Sequence, residues 1–398
     1  MPADEPRVQL YAPEFAADPH RVYSEMRSKH QSLVPVALAP GVPATLVIAY
    51  DTALRILNDP EHFPADPRAW QRDIPADCPV LPMMQWRPTG SRSAGSDLLR
   101  YRQAVTECLA QVNLHAIDAA VERTAFPLIN AFCVSGSADL LSQYAFPVAF
   151  EMLNILLGCP PEIGERVAAG MAALFDTVDA AAGNAMISDA LFELVQLKRT
   201  EPGNDITSLL LKHPSRLDDA ELVNQLLTHY GAGLECQQNL IANTLLLIIG
   251  DDRFGGSVLG GSISTREALD EVLYNDPPLA NLLITYPRQP VLIDNVWLPA
   301  HQPVVISMAA CNNDPAIRAE DNRGNRAHLA WGIGPHACPA QTLGTLIAQN
   351  AIDQLLDAIP ELDLDHTGGE LRWRPGPFHR SLTALPVTFT PTSPLPLP

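Results

Sequence analysis

The stretch Trp331-Gly-Ile-Gly334-Pro-His336-Ala-Cys338-Pro-Ala340 decides how the rest of the chain is read. It sets a cysteine in a loop bounded by glycine and proline. Immediately after it, the apolar periodicity of Gln341 to Ala358 predicts a helix stopped at Pro360. Backbone N–H groups at the start of a helix stabilise a thiolate, and glycine lets another group approach the backbone closely. A thiolate held this way is a nucleophile or a metal ligand. The commoner fate of a lone cysteine is to pack as a small hydrophobe.

The other cysteines do not make the segment part of a larger pattern. There are seven, Cys78, Cys108, Cys133, Cys159, Cys236, Cys311 and Cys338, scattered and with no CxxC pair. That is a poor disulfide framework and a poor zinc site, and it fits a reduced cytoplasm. The 398 residues are 47% hydrophobic and 18% charged, the composition of a globular chain with a sizeable core. A net charge of -19 argues against binding to nucleic acid or to an anionic membrane. The start, MPADEPRVQL, has no apolar signal core. The longest apolar run, near Leu240 to Gly250, is too short to span a bilayer. No repeat and no composition break appears, so a single domain over 1–398 is expected.

Most periodic segments read as helices: Asp18 to His30, a segment capped by Asp51 and ending at Asn58, Asp97 to Ala110, Ala116 to Cys133, Asp139 to Leu157, Leu191 to Lys198 and Thr265 to Tyr274. The longest starts at a capping-box pair, Asp218 and Glu221, and runs to Ile249 without a proline. At 1.5 Å per residue it spans roughly 45 Å, enough to cross the whole molecule. Gly231 and Gly233 near its middle mark either tight helix packing or a place where a ligand approaches. A Gly-rich loop follows Gly250. Short strands are expected at Thr45 to Ala49, Val291 to Ile293, Val304 to Ile306 and within Leu371 to Thr390. The class is mainly α with a minor β part.

The cysteine segment resembles the haem-binding loop of the cytochrome P-450 family, Phe-x-x-Gly-x-His/Arg-x-Cys-x-Gly. Gly334, His336 and Cys338 match, whereas Trp331 replaces the Phe and Ala340 the last Gly. The likeness extends to Asn58-Asp-Pro-Glu-His-Phe63, Leu156-Leu-Gly-Cys-Pro-Pro161, Gly203-Asn-Asp-Ile-Thr-Ser-Leu209 and Asn312-Asn-Asp-Pro315. It implies a single α-rich prism with small β-sheets, enclosing haem b between the long helix and the cysteine loop. Cys338 is then the axial ligand to the iron. The implied haem contacts are Gly334, His336, Ala232, Arg102 and Arg288, the cations among them facing the propionates. The family's His-x-x-x-Arg maps onto Leu98 and Arg102, so its His is missing.

Two departures stand out. The family's Ala/Gly-Gly-x-Asp/Glu-Thr falls on Ala232-Gly233-Leu234-Glu235-Cys236. Glu235 and Cys236 are the implied catalytic pair, with a thiol where a hydroxyl ordinarily relays protons; a thiol is the weaker donor and acceptor. The family's Glu-x-x-Arg falls on Glu271 and Tyr274. Tyrosine offers one donor where arginine offers five. Glu271 is then protonated, or solvated, or paired with another arginine such as Arg323 or Arg326.

The resemblance places the substrate against Met84, Trp86, His229, Leu234, Leu283 and Thr383. It implies an oxidase or monooxygenase of bacterial secondary metabolism, hydroxylating a natural product or coupling aromatic or cyclic-dipeptide compounds through C–C or C–N bonds. The alternative is an impaired haem-binding protein that modulates a partner enzyme. With no flavin, iron–sulfur or dinucleotide motif, electrons are expected from a ferredoxin and its NAD(P)H reductase. The local excess of arginine between Arg87 and Arg102 suggests where such a ferredoxin docks.

Overall fold

The computed structural model describes residues 7–175, 180–251, 264–317 and 325–397. Helices dominate them. The expected capping box forms: Asp218 and Glu221 exchange side-chain and backbone bonds at the start of the central helix Asp219–Gly250, and a further pair, Ser264 and Glu267, does the same for Thr265–Asn275. Each satisfies two N–H groups that would otherwise lack partners. Helix Pro19–Lys29 is capped by Asp18 as its proline and aspartate require.

Three sequence readings change. Asp51 sits inside helix Tyr50–Leu57, in its first turn, and Ala49 occupies the cap position without a side-chain bond. The segment read as Leu191 to Lys198 belongs to a helix of 21 residues, Ala180–Thr200. Between Asp139 and Leu157 the backbone first makes a π turn, Leu141–Ala145, and then helix Phe146–Leu157. The Gly-rich loop after Gly250 lies outside the described residues, as does Arg323.

Five short strands form a mixed sheet, side by side in the order Val8–Gln9, Leu33–Ala39, Val42–Val47, Val304–Ile306 and Leu283–Thr285. The last two bring the stretch after residue 280 back beside the N-terminal hairpin. Pro386–Phe389 pairs with both Ser137–Asp139 and Leu362–Leu364. Asp294 and Asn295, both at positive φ, turn the hairpin Val291–Ile293/Val296–Leu298.

The central helix is buried along most of its length. Its second half, with Leu240, Ile241, Leu245 and Ile248, packs in one cluster with Leu343, Ile347, Ile352 and Leu355 of helix Gln341–Ala358. Each such side chain contributes about 1.5–3 kcal/mol by leaving water. Gln237 adds a side-chain bond to the Gly344 carbonyl, 3.1 Å. The helix after Cys338 is thereby fixed against the helix that carries Glu235 and Cys236. Among the described residues no helix is long and apolar enough to cross a membrane.

Candidate haem-thiolate site

The cysteine loop is shaped by its glycines. Gly332 and Gly334 both lie at positive φ, and a Cβ on Gly334 would stand 2.8 Å from the Leu57 carbonyl oxygen. No other residue type fits there without displacing helix Tyr50–Leu57. The loop closes with the Cys338 N–H donating to the Trp331 carbonyl, 2.6 Å. The Ala340 N–H points at the Cys338 sulfur, and Arg102 lies near enough to favour its thiolate; burial opposes both and pushes the thiol up. Ala340 replaces the family glycine without strain, because its φ is -102°. Gly344 lets Trp331 lie against the following helix, a Cβ there meeting the indole at 3.4 Å.

All seven cysteines are free. Five are buried packing residues. The two that are not fully buried are Cys338 and Cys236, and they lie close enough for the charge of one to act on the other. Cys236 shares a helix face with Gln225, His229 and Ala232. Ala232 is exposed in mid-helix, and a Cβ on Gly231 would meet nothing within 4 Å. Gly233 points elsewhere and packs against Leu153, 3.0 Å from its hypothetical Cβ. The two glycines therefore answer the two readings separately: one packs, one leaves room.

Around the edge of this space sit a buried imidazole and, among the described residues, two guanidiniums without carboxylates. His336 donates from Nδ1 to the Gly90 carbonyl, 3.0 Å, while its Nε2 is buried with no partner. Burial, with Arg102 and Arg92 nearby, holds its pKa down at about 4. Among the described residues Arg102 makes no side-chain bond to any acid, and its only recorded charge partner is Cys338. Arg92 donates only to the carbonyls of Ser91 and Met83, 3.2 and 2.6 Å. A dianionic planar group with its anionic edge here would give both guanidiniums the partners they lack, and its charge would favour protonation of His336 at Nε2. Haem, with two propionates and an iron awaiting a thiolate, fits this donor set.

Glu235 is treated oppositely. It is buried, yet fully satisfied: Arg374 forms an ion pair with it, and Gln238 and Asn239 donate at 3.2 and 3.0 Å. Arg374 in turn donates from Nε to His379 Nε2, 3.1 Å, and Ser381 donates to Asn239, 2.8 Å. None of this network was legible beforehand, since Arg374 lies 139 positions from Glu235. The Glu271/Tyr274 change is also resolved by distant residues. Glu271 is half-buried and accepts from Asn275, 2.7 Å. Arg326 pairs instead with the buried Asp270, as does Arg266. Buried Asn312 ties the end of the helix to the cysteine loop: it donates to the Leu273 and Tyr274 carbonyls, 3.3 and 3.0 Å, and accepts from the Leu329 N–H, 2.8 Å.

Several expected site residues lie elsewhere. Arg288 is exposed, three positions beyond strand Leu283–Thr285, and does not act on Cys338; Arg92, unanticipated, stands beside His336 instead. Leu234 is buried on the opposite face of the central helix, among Tyr230 and Phe150. Met84 is fully buried in the cluster beneath the five-stranded sheet, which makes it core. Leu283 touches the cysteine loop, 3.5 Å from a Cβ on Gly332. Trp86 lies under the Arg68 guanidinium with its buried Nε1 unpartnered. His229 is half-buried, donating to the Gln225 carbonyl at 2.7 Å, its pKa lowered by burial. Thr383 is exposed in a turn, bonded to the Arg372 carbonyl. The arginine excess from Arg87 to Arg102 is not a free basic surface: Arg100 is paired with Glu221, and the other three turn toward the interior.

A thiolate loop, an edge of unpaired cations and an open stretch of helix opposite define a haem-thiolate oxidoreductase. The sequence is 28% identical over 395 residues to the cytochrome P450 monooxygenase PikC of Streptomyces venezuelae, covering 94% of this chain and 92% of that protein. Cytochrome P450 107B1 of Saccharopolyspora erythraea is 27% identical, with 96% and 98% covered. The solved structure of testosterone-bound CYP154C4 from Streptomyces superimposes with a TM-score of 0.88 at 26% identity, covering 97% and 98%. No family model matches the chain. Over nearly its whole length the chain is similar to cytochrome P-450 enzymes, and it is an oxidoreductase of that type whose cofactor is haem.

Proposed function

We propose that the chain, as a single domain over residues 1–398, hydroxylates a small to medium natural product, with Cys338 as the residue that would hold the haem iron. The observation that carries this reading is the convergence of Cys338, Arg92, Arg102 and the unpartnered Nε2 of His336 opposite the Ala232–Cys236 face. When bound, thiolate-ligated haem supplies O–O bond cleavage. The chain's residues do the rest. The Ala340 N–H and Arg102 hold charge on the Cys338 sulfur. Arg92 and Arg102 would hold the propionates, with His336 beside them. Gly231 and Ala232 leave the space into which substrate and macrocycle fit.

Cys236 stands where the family has a hydroxyl. Burial and the neighbouring charges push its thiol far up, so it stays protonated and is a poor relay. Glu235, pinned by Arg374 and two amides, holds its charge in place and does not swing toward the substrate. Protons then come from water or from a substrate hydroxyl beside Cys236. The same thiol favours a second reading, oxidative C–C or C–N coupling, which removes hydrogen without inserting oxygen. Relatives named as a 6-deoxyerythronolide B hydroxylase and a 2-hydroxy-5-methyl-1-naphthoate 7-hydroxylase support a natural-product substrate. Electrons would come from a ferredoxin and its NAD(P)H reductase in the cytoplasm. The test is turnover with those partners after the reduced, CO-treated protein shows the red-shifted thiolate band. A product heavier by one oxygen supports hydroxylation; a product with the summed mass of two coupled partners less two hydrogens supports coupling; neither, with the band present, rejects both.

A further inference from the structure

The chain has 45 acids and 26 bases, so an arginine without a carboxylate is unusual. Of the half-buried arginines, Arg100, Arg166, Arg266, Arg374 and Arg380 each meet one. Arg27 lies under the influence of Asp314. Four have none among the described residues. Arg7, at the edge of the five-stranded sheet, is held by two strand carbonyls. The other three, Arg87, Arg92 and Arg102, belong to one region. Arg92 and Arg102 flank His336 and are accounted for by the two propionates. Arg87 is left over.

Arg87 sits where its loop meets the two helices that wall the site. Its only hydrogen bonds are long, 3.4 Å to the Asn224 amide oxygen on the central helix and 3.4 Å to that of Asn184 on helix Ala180–Thr200. Most of its five donors are unused. Nearby charge makes matters worse: burial and Arg92 both weaken the guanidinium, and among the described residues no carboxylate offsets them. Its neighbour Pro88 is bonded through its carbonyl to Gln225, 2.8 Å, at the top of the His229–Ala232–Cys236 face. Building a cation here costs desolvation free energy that nothing in the described protein returns.

We propose that Arg87 binds the carboxylate of an elongated substrate lying along the central helix from Gln225 to Cys236. This rests on the haem-site reading for where oxidation occurs. From Asn224 to Ala232 and Cys236 is eight to twelve residues, about 12–18 Å of helix. The oxidised atom is therefore remote from the carboxylate, and the carboxylate sets register instead of taking part in the chemistry. A chain of net charge -19 repels anions at long range, so selection for an acid has to come from a local cation of this kind.

The experiment titrates the haem-loaded protein with two acid–ester pairs, dodecanoate and its methyl ester, and 4'-pentylbiphenyl-4-carboxylate and its methyl ester. Binding is read by the Soret shift and by calorimetry. In at least one pair the acid should bind on the order of tenfold more tightly than the ester, the effect of a charge-assisted hydrogen bond. Arg87→Gln should lose that preference by weakening the acid alone, and Arg87→Lys, the folding control, should keep most of it. Equal binding of acid and ester in both pairs overturns the proposal. So does an Arg87→Gln loss shared by acid and ester. If the CO band is absent while calorimetry still shows an Arg87-dependent preference for acid, the anion site stands and the haem-site reading falls.

Discussion

The edge of the site around His336 and the wall around Glu235 handle charge in opposite ways. At the edge, Arg92, Arg102 and His336 Nε2 converge with no acid to meet them. At the wall, one buried carboxylate receives an arginine and two amides, and the arginine is itself held by a histidine. Folding alone satisfies the second group. The first is satisfied only by a ligand. Unmet charge thus marks what the protein binds, and met charge marks what it needs to stay rigid.

That contrast is broken most completely at Cys338. Cys338→Ser should abolish the red-shifted CO band entirely while leaving the fold, since the serine keeps the loop's backbone bonds and the glycine turns. A far-ultraviolet circular dichroism spectrum unchanged from wild type, with the band lost, is the expected pair of results. Retention of the band would remove Cys338 from the site.

The wall should respond in stability where the edge responds in ligand binding. Arg374→Met leaves Glu235 buried and unpaired, a cost of about 3–5 kcal/mol. Urea unfolding should record it, and adding Glu235→Gln should restore most of the loss. Removing Arg102, by contrast, breaks no hydrogen bond or carboxylate pair among the described residues. Arg102→Met should therefore change stability of the haem-free chain by less than about 0.5 kcal/mol, in the manner of a substitution that breaks nothing, while weakening haem retention. If Arg102→Met destabilises the haem-free chain as much as Arg374→Met, the distinction drawn between edge and wall fails.

Asn312 gives a smaller effect of the same kind. It spans from the helix end at Leu273 and Tyr274 to Leu329, two residues before Trp331. Asn312→Ala strands two buried carbonyls and an N–H, at about 1–3 kcal/mol for each group left unsatisfied. Because the tie ends at the cysteine loop, haem loss should accelerate together with unfolding. Unfolding that weakens with haem loss unchanged would mean that the loop is held by other means.

The fold was legible because its main signals are local. The loop Trp331–Ala340, the capping box at Asp218 and the proline-free run behind it each specify their structure within a few residues. Cys338, His336 and Arg102 were singled out for the same reason, each carried by a short motif, and the fold sets them close together. The Arg374–Glu235 and Asn312–Leu329 contacts were not, because nothing in the chain near Glu235 or Tyr274 says which distant donor will arrive there. Arg288 and Arg92 show the same limit from the other side. Both are single arginines in loops, and only the path of the backbone after Thr285 and Gly90 decides which of them reaches His336. Met84 and Leu234 were misassigned because an apolar side chain in a pocket loop or on a central helix looks alike from sequence whether it faces the cavity or the core.

The smallest expected effect belongs to His379, the outermost member of the wall network. Burial and the adjacent Arg374 hold its pKa at about 4 in the folded chain, below the ordinary value near 6.5. The unfolded chain therefore binds more protons than the folded one between these two values. Stability contributed by the neutral imidazole is fully present above about pH 6.5 and is lost as pH falls toward 4. His379→Gln keeps an acceptor for Arg374 Nε but does not titrate. Plotted against pH, the unfolding free energy of this variant should be flatter than wild type across that window and parallel to it above pH 7. An unchanged slope would place the proton uptake on another group, and would detach His379 from the network that fixes Glu235.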